Sequence, residues 1–391
     1  MTPGARVQAA IEILDEILAG TPAEKSLTNW GRRSRFAGSK DRAAVRDHVF
    51  HALRCMRSHA ALGGAMSGRG LLIGGLRDAG VDPSQLFTAE GHAPGVLAEA
   101  ELEQPPLDAE SAEGLDIPDW LWPLFCKSLG AEAQAAAAVL RTRAPVFLRV
   151  NLTKIERADA ILRLAQEEVV TLPHDASATA LEVTEGARRV KNTQCYLQGL
   201  VELQDAASQA VVDTLPLQDG QRVLDFCAGG GGKTLAMAGR AQLSLFAHDV
   251  DPRRMTDVPN RAERAGVQIT CLTTEELATT GPFDVVFCDA PCSGSGSWRR
   301  DPEGKWRLTS DRLEELVALQ AEILDQAAML VSPDGVLAFA TCSMLDVENG
   351  LQSRAFVART PGWKIAQEAA WHVQNGTDGF YVSVFQRTKT G

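Results

Sequence analysis

The chain has 391 residues, 45% of them hydrophobic and 23% charged, and its formal net charge is −11. This length predicts two or three domains. The composition is that of an ordinary soluble protein, and no apolar run approaches the roughly 18 residues that a membrane span needs. The first residues lack the pattern of a secretory signal, so we expect a cytoplasmic protein, and the net charge argues against nucleic-acid binding over the whole surface.

Residues 1–92 are predicted to be helical, because Val7, Ile11, Leu14 and Leu18 fall on one helix face. This segment also concentrates basic side chains, which could dock RNA or could form a solvated helix face. The candidate RNA-binding residues in it are Arg32, Arg33, Arg35, Lys40 and Arg42.

Residues 93–119 are rich in proline and acidic side chains, which indicates a linker. Residues 120–210 follow as a small α+β unit. Its clearest elements are a strand at Phe147–Asn151 and a helix from Glu156 to Glu168.

From residue 211 to the end, strands alternate with helices, which predicts an α/β fold: a parallel sheet with helices on both faces. Ligands of such sheets bind at the carboxyl ends of the strands. The predicted strands are 222–226, 243–248, 268–272, 283–288 and 335–341, and a long amphipathic helix covers 310–330.

A glycine cluster, Cys227–Thr234, follows the first of these strands. Glycines allow the backbone to approach a ligand, although a plain tight turn would have the same composition. A Walker loop would need glycine at the position of Cys227, and the dinucleotide spacing is absent. Asp249, after the next strand, suits the ribose diol of S-adenosylmethionine or, alternatively, a helix N-cap.

Two further strand ends carry a cysteine each, Cys292 in Asp289-Ala-Pro-Cys and Cys342 in Thr-Cys-Ser. C5 of cytosine accepts a methyl group once a thiolate has added at C6, and an acid such as Asp289 can support that addition from N3. The second cysteine could assist product release. By itself, either cysteine would more often be a buried, inert thiol.

The segment after Cys292 interleaves Trp298 and Trp306 with basic side chains. Such a mixture suits phosphate contact and base stacking, or an ordinary solvated loop. The candidate RNA-binding residues here are Arg299, Arg300 and Lys305. The eight cysteines form no cluster with zinc-ligand spacing, so we expect no metal.

Together these motifs resemble the Nol/Nop/Sun family of RNA cytosine-5 methyltransferases, and within it the bacterial 16S rRNA enzymes of the RsmB type. The family's Cys-Ala-x-Pro-Gly-Gly-Lys-Thr loop is matched from Cys227 to Thr234, with Gly230 in place of proline. The resemblance is also carried by Asp289–Cys292, Arg299–Trp306, Thr341–Ser343, Leu148–Asn151, Leu203–Gln209 and Asp378–Tyr381. More weakly, residues 38–54 are similar to a NusB-like helical domain.

The resemblance implies a class I Rossmann-like methyltransferase sheet in residues 211–391, with Cys342 as nucleophile and Cys292 aiding release. Asp289 would face both the methyl donor and the base. Glu275 would take the place of an acid that the family usually has at its third strand end. The implied S-adenosylmethionine ligands are Cys227, Ala228, Gly229, Gly230, Gly231, Gly232, Lys233, Asp249, Glu275 and Asp289.

The predicted function is therefore formation of 5-methylcytosine in RNA, most simply ribosomal RNA, by a monomer that needs neither metal nor membrane. The same chemistry on tRNA stays open. A DNA cytosine-5 methyltransferase would use the Pro-Cys cysteine and lack Cys342. A non-catalytic RNA-binding assembly factor would be expected to lose Cys342 or the glycine loop, and both are present.

Overall fold

The computed structural model describes residues 1–388. Its helices are α1 Pro3–Leu18, α2 Ala23–Arg33, α3 Ser39–Arg54, α4 Met56–Gly63, α5 Gly68–Asp78, α6 Trp122–Leu129, α7 Ala133–Leu140, α8 Arg157–Gln166, α9 Gln194–Leu197, α10 Ala206–Asp213, α11 Gly232–Ala238, α12 Val258–Ala265, α13 Thr274–Thr280, α14 Pro302–Arg307, α15 Ser310–Ala328 and α16 Gly350–Arg359. Within this range, every helix is too short or too polar to cross a membrane.

Those strands that were predicted from the sequence fall within two residues of the predicted bounds, except β9, which begins four residues earlier than predicted. Eleven strands are present in residues 1–388. They are β1 Val146–Val150, β2 Val170–Pro173, β3 Ala180–Glu185, β4 Val201–Leu203, β5 Arg222–Asp225, β6 Ser244–His248, β7 Ile269–Leu272, β8 Phe283–Asp289, β9 Val331–Thr341, β10 Trp363–Trp371 and β11 Phe380–Arg387.

The chain divides into two units. Unit 1 comprises Met1–Arg143 together with Trp298–Arg307, and unit 2 comprises Ala144–Ser297 and the chain from Leu308 onward. Helices α6 and α7 therefore belong to unit 1, whereas the sequence analysis grouped residues 120–140 with the following α+β unit. Phe125 of α6 and Ala136 of α7 are fully buried.

Unit 1 is helical, as predicted, and packs α1 against α3 and α5. Three of the four residues on the predicted face of α1, Val7, Ile11 and Leu14, are buried, whereas Leu18 at its C-terminus is exposed. The segment Trp298–Arg307 is held to α3 by its side chains. The Trp306 indole donates to the Leu53 carbonyl at 2.6 Å, and the Lys305 ammonium donates to the Arg54 carbonyl at 3.0 Å.

Unit 2 contains two sheets. The smaller one is antiparallel with strand order β2-β3-β1-β4. The larger has seven strands in the order β10-β11-β9-β8-β5-β6-β7, which confirms the predicted α/β fold class. Its pairs from β7 to β9 are parallel, but β11 runs antiparallel to both neighbours. The sheet is therefore mixed. The antiparallel pairing of β10 with β11 follows from the short connection between them, since a parallel pair would need a longer crossover.

The strand order reverses direction at β5, which lies between β6 and β8. In open α/β sheets the crevice outside the carboxyl ends of the strands at such a reversal is the usual ligand site. Here those ends are Asp225 on β5 and Asp289 on β8. The sheet thus brings the glycine loop and the two cysteine motifs to one edge.

Candidate active site

The two cysteines of the sequence motifs meet at this edge. The Cys292 and Cys342 sulfur atoms lie 3.4 Å apart, and the Ser297 hydroxyl is 3.9 Å from the Cys342 sulfur. A hydrogen bond from the Cys292 thiol lowers the pKa of Cys342 against the opposing effect of burial, with the charge of Lys233 helping. The same hydrogen bond, burial and the Cys342 charge raise the pKa of Cys292 well above its ordinary value. Of the two thiols, Cys342 is therefore the more readily ionised, and Cys292 is the more readily kept protonated.

Lys233 and Asp289 form the charged part of the site. The Lys233 ammonium lies 2.5 Å from an Asp289 carboxylate oxygen and 4.9 Å from the centre of the Phe380 ring. Burial opposes the charge of Lys233, but the charge of Asp289 and its hydrogen bond outweigh that effect and raise the Lys233 pKa. Lys233 thus stays protonated beside Cys342, whereas the sequence analysis assigned it only to the cofactor.

Backbone contacts hold the loop that carries Cys292. The Ala290 amide donates to the Ala340 carbonyl, and the Gly296 amide donates to the Cys342 carbonyl, both at 2.9 Å. A Cβ atom on Gly296 would lie 2.1 Å from the Gly379 carbonyl oxygen, so only glycine allows this approach. The loop is thereby fixed to β9 and to the residues that precede β11.

The glycine loop turns sharply at the end of β5. Gly229 and Gly231 have φ angles of +50° and +74°, which L-residues with a side chain rarely adopt. The Gly229 amide donates to the Asp249 carboxylate at 3.0 Å, which ties the loop to the end of β6.

Asp225 is a candidate ligand residue that the sequence analysis did not assign. One of its carboxylate oxygens accepts from the Thr234 hydroxyl at 2.6 Å, whereas the other is buried without a hydrogen-bond partner in the described chain. Burial raises the Asp225 pKa to about 7. A ligand that brings an amino group would satisfy this oxygen, as the amino-acid end of S-adenosylmethionine can. The sequence feature that could have identified Asp225 is its position as the last residue of the strand before the glycines.

Asp249 is 2% exposed, and its carboxylate also accepts from the Asp251 amide. Arg254, with a side chain that is 56% exposed, lies 3.0 Å from it. The alternative role of Asp249 as an N-cap is not what the structure has, because Asp251 caps the turn that follows.

Two further predicted cofactor residues, Glu275 and Cys227, differ in burial. Glu275 lies exposed in the first turn of α13, whose N-terminus is capped by Thr273 and Glu276. Burial raises the pKa of Cys227, so this residue of the loop is a thiol.

The predicted RNA-binding residues fall into two groups. The exposed group comprises Arg32, Arg33, Arg35, Lys40, Arg42 and Arg300. Within it, Arg33 pairs with Glu16, and Arg42 donates to the Ala37 carbonyl. Arg299 and Lys305, by contrast, are 2% and 1% exposed. Burial lowers the Lys305 pKa to about 8, and its ammonium is directed at a backbone carbonyl. Burial thus removes these two residues from the surface to which the sequence analysis assigned them.

Unit 1 brings three possible metal ligands within 4.8 Å of one another: His51, Cys55 and His59. This cluster has no zinc-ligand spacing in the sequence, because its members are four residues apart, on α3, at the junction of α3 and α4, and on α4. The charges of Arg54 and Arg141 act on it, burial raises the Cys55 pKa to about 12, and the Cys55 thiol donates to the Arg141 carbonyl. A protonated thiol among guanidinium groups is a poor environment for a cation.

Comparison with known proteins places these features in context. Residues 212–386 match the model of the 16S rRNA methyltransferase RsmB/F family, and residues 117–190 match the ferredoxin-like domain of RsmF/B-like methyltransferases. A methyltransferase homologue from Pyrococcus horikoshii has a similar fold, with a TM-score of 0.62 and 21% identity over 71% of this chain and 97% of its own.

Two curated relatives are ribosomal RNA small subunit methyltransferases B. The protein from Enterobacter sp. is 35% identical over 277 residues, which cover 68% of this chain and 64% of the relative. The protein from Vibrio cholerae is 33% identical over 309 residues, which cover 75% of this chain and 71% of the relative. The alignment thus spans just under two thirds of the Enterobacter protein and somewhat more of the Vibrio protein.

Proposed function

This chain belongs to the RsmB/F family of 16S rRNA methyltransferases, and from that premise we propose that it methylates C5 of a cytosine in ribosomal RNA. The observation that carries the proposal is the cysteine pair. Two sulfur atoms 3.4 Å apart, one with a lowered pKa and the other with a raised pKa, supply a nucleophile and a neighbouring proton-transfer group.

In the first step, the Cys342 thiolate forms a bond to C6 of the cytosine, and the C5–C6 π electrons move to C5. Asp289, at the end of β8 beside Lys233, supports this addition through N3 of the base. S-adenosylmethionine, when bound, supplies the electrophilic methyl group that C5 takes up.

Product release requires loss of the C5 proton and cleavage of the bond between C6 and Cys342. While Cys342 is bound to C6, it no longer carries the negative charge that holds Cys292 protonated. Cys292 can then lose its proton to solvent and take the C5 proton as its thiolate. The electrons of the C5–H bond re-form the double bond, and Cys342 leaves as thiolate.

For S-adenosylmethionine, the proposed ligand residues are those of the glycine loop together with Asp225 and Asp249. The unpartnered carboxylate oxygen of Asp225 suits an amino group, and the left-handed glycines allow close approach of the backbone. Asp249 would accept from the ribose hydroxyls once the exposed Arg254 side chain turns away.

The proposal is tested by incubating the full chain with isotopically labelled S-adenosylmethionine and unmodified 16S rRNA or bulk tRNA. Digestion to nucleosides and mass spectrometry would identify the product. Labelled 5-methylcytosine in the rRNA supports the proposal. Its appearance in tRNA alone would change the substrate, and label on another nucleoside would contradict the chemistry.

A further inference from the structure

Glu348 carries a carboxylate that is fully buried in unit 2, and its charge acts on Cys292. It lies in the turn Asp346–Glu348 that follows the Cys342 motif, and its relative exposure is 0%. Ionised carboxyl groups are rarely buried this completely, and when they are, their hydrogen bonds must be fully satisfied.

Four uncharged donors surround this carboxylate. The amide of Ser293 and the side-chain amide of Gln320 donate to one oxygen, at 2.8 and 3.1 Å. The hydroxyls of Ser293 and Ser343 donate to the other, each at 2.5 Å. The two N–H groups can only donate, and a carboxylate has about four acceptor positions, so the two oxygens of Glu348 can accept all four hydrogen bonds.

The Ser343 hydroxyl has further polar contacts besides Glu348. Its oxygen accepts from the Leu345 amide at 3.0 Å, and the Ser295 hydroxyl lies 3.1 Å away. The Gln320 amide group also donates to the Pro291 carbonyl, at 2.9 Å. Glu348 is thus the centre of a network that includes the residues on both sides of Cys292.

The two serines bound to Glu348 are the residues immediately after the two cysteines, Ser293 after Cys292 and Ser343 after Cys342. We propose that Glu348 is a positioning residue, whose carboxylate fixes these two segments so that Cys292 donates to Cys342 and Cys342 alone acts as the nucleophile. The inference rests on the proposed function for its meaning, but it makes a prediction about the thiols themselves.

The negative charge of Glu348 also helps to keep Cys292 protonated. It adds to the hydrogen bond with Cys342, to burial and to the Cys342 charge in raising the Cys292 pKa. Loss of this charge would make Cys292 easier to ionise, and loss of the network would let the two sulfur atoms move apart. Both changes reduce the difference in reactivity between the cysteines.

The test compares the full-length wild type with Glu348→Gln, which keeps the size of the side chain and removes its charge. Initial rates of alkylation by iodoacetamide would be measured for each cysteine by peptide mass spectrometry over a range of pH. We expect Cys342 to react far faster than Cys292 in the wild type. In Glu348→Gln this ratio should fall by about tenfold or more, which corresponds to about one pKa unit.

The matched control is Asp346→Asn. Asp346 lies two residues away in the same turn, is partly exposed and pairs with Arg354 at the surface. This variant should keep the wild-type alkylation ratio. In steady-state methylation, Glu348→Gln should lower kcat about 100-fold with the KM for RNA unchanged, as displacement of a reacting group predicts.

An unchanged alkylation ratio in folded Glu348→Gln would overturn the inference. If that variant does not fold, Ser343→Ala, which removes one donor to Glu348, takes its place and should shift the ratio in the same direction. A wild type that methylates no RNA but shows the predicted ratios would refute the proposed function and leave the role of Glu348 standing.

Discussion

The sulfur atoms of Cys292 and Cys342, fifty residues apart in sequence, lie 3.4 Å from each other at neighbouring strand ends. The hydrogen bond between them lowers the pKa of Cys342 and raises that of Cys292. The two thiols thus differ in how readily they ionise before any substrate binds.

Lys233 is predicted to keep Cys342 reactive at neutral pH. Its charge lowers the Cys342 pKa, whereas the charge of Asp289 raises it, so Lys233→Met removes the favourable charge and keeps the unfavourable one. The pH profile of Cys342 alkylation should shift to higher pH, and the methylation rate should fall about 100-fold or more. Lys364→Met, at an exposed position of β10, serves as the control. A profile equal to that of the wild type would contradict the assignment.

Ionisation of Asp225 is predicted to lower the free energy of unfolding as the pH rises. Its pKa is about 7 in the folded chain against 3.8 for the ordinary group, so between about pH 4 and 7 the folded state binds more protons than the unfolded state. Stability therefore falls as the pH rises through that window, by of order 2–4 kcal/mol, since one pKa unit is about 1.4 kcal/mol.

Asp225→Asn cannot titrate and should remove this part of the pH dependence while weakening S-adenosylmethionine binding. Urea unfolding at several pH values and calorimetric titration of the cofactor would measure the two effects. Parallel pH dependence in variant and wild type would show that Asp225 is not the titrating group.

Exposed and buried basic residues of unit 1 are predicted to differ in their effect on RNA binding. Arg35→Ala and Lys40→Ala should each weaken RNA binding and reduce the slope of log affinity against log salt by about 0.7–0.9, if each side chain contacts one phosphate. Lys305→Met should leave that slope unchanged, because its ammonium already donates to the Arg54 carbonyl. Filter-binding assays over a series of salt concentrations would measure the slopes. A reduced slope in Lys305→Met would show that this residue reaches RNA.

Sequence patterns were sufficient for β5 to β9 of the large sheet, because apolar runs such as Phe283–Asp289 alternate with clear helical segments, but they did not predict β10. The same patterns located the two cysteine motifs at strand ends. The pairing of Cys292 with Cys342 was an expectation that depended on family resemblance, since spacing alone left either cysteine as an inert thiol.

Which polar and aromatic side chains are buried could not be predicted from the sequence patterns. The run from Trp298 to Trp306 has the composition of an RNA-binding loop, yet Trp298 and Lys305 are buried within unit 1. Glu348 had no signal in the sequence, because an acid in a polar turn is ordinarily exposed. Only the fold brings it between Ser293 and Ser343.

The measurement that tests the central claim most directly uses the wild type, Cys342→Ala and Cys292→Ala with S-adenosylmethionine and unmodified ribosomal RNA. Mass spectrometry would detect 5-methylcytosine, and denaturing gels would detect covalent protein–RNA adducts. We predict product from the wild type, neither product nor adduct from Cys342→Ala, and a persistent adduct from Cys292→Ala. Methylation by Cys342→Ala, or an adduct that depends on Cys292, would contradict the account.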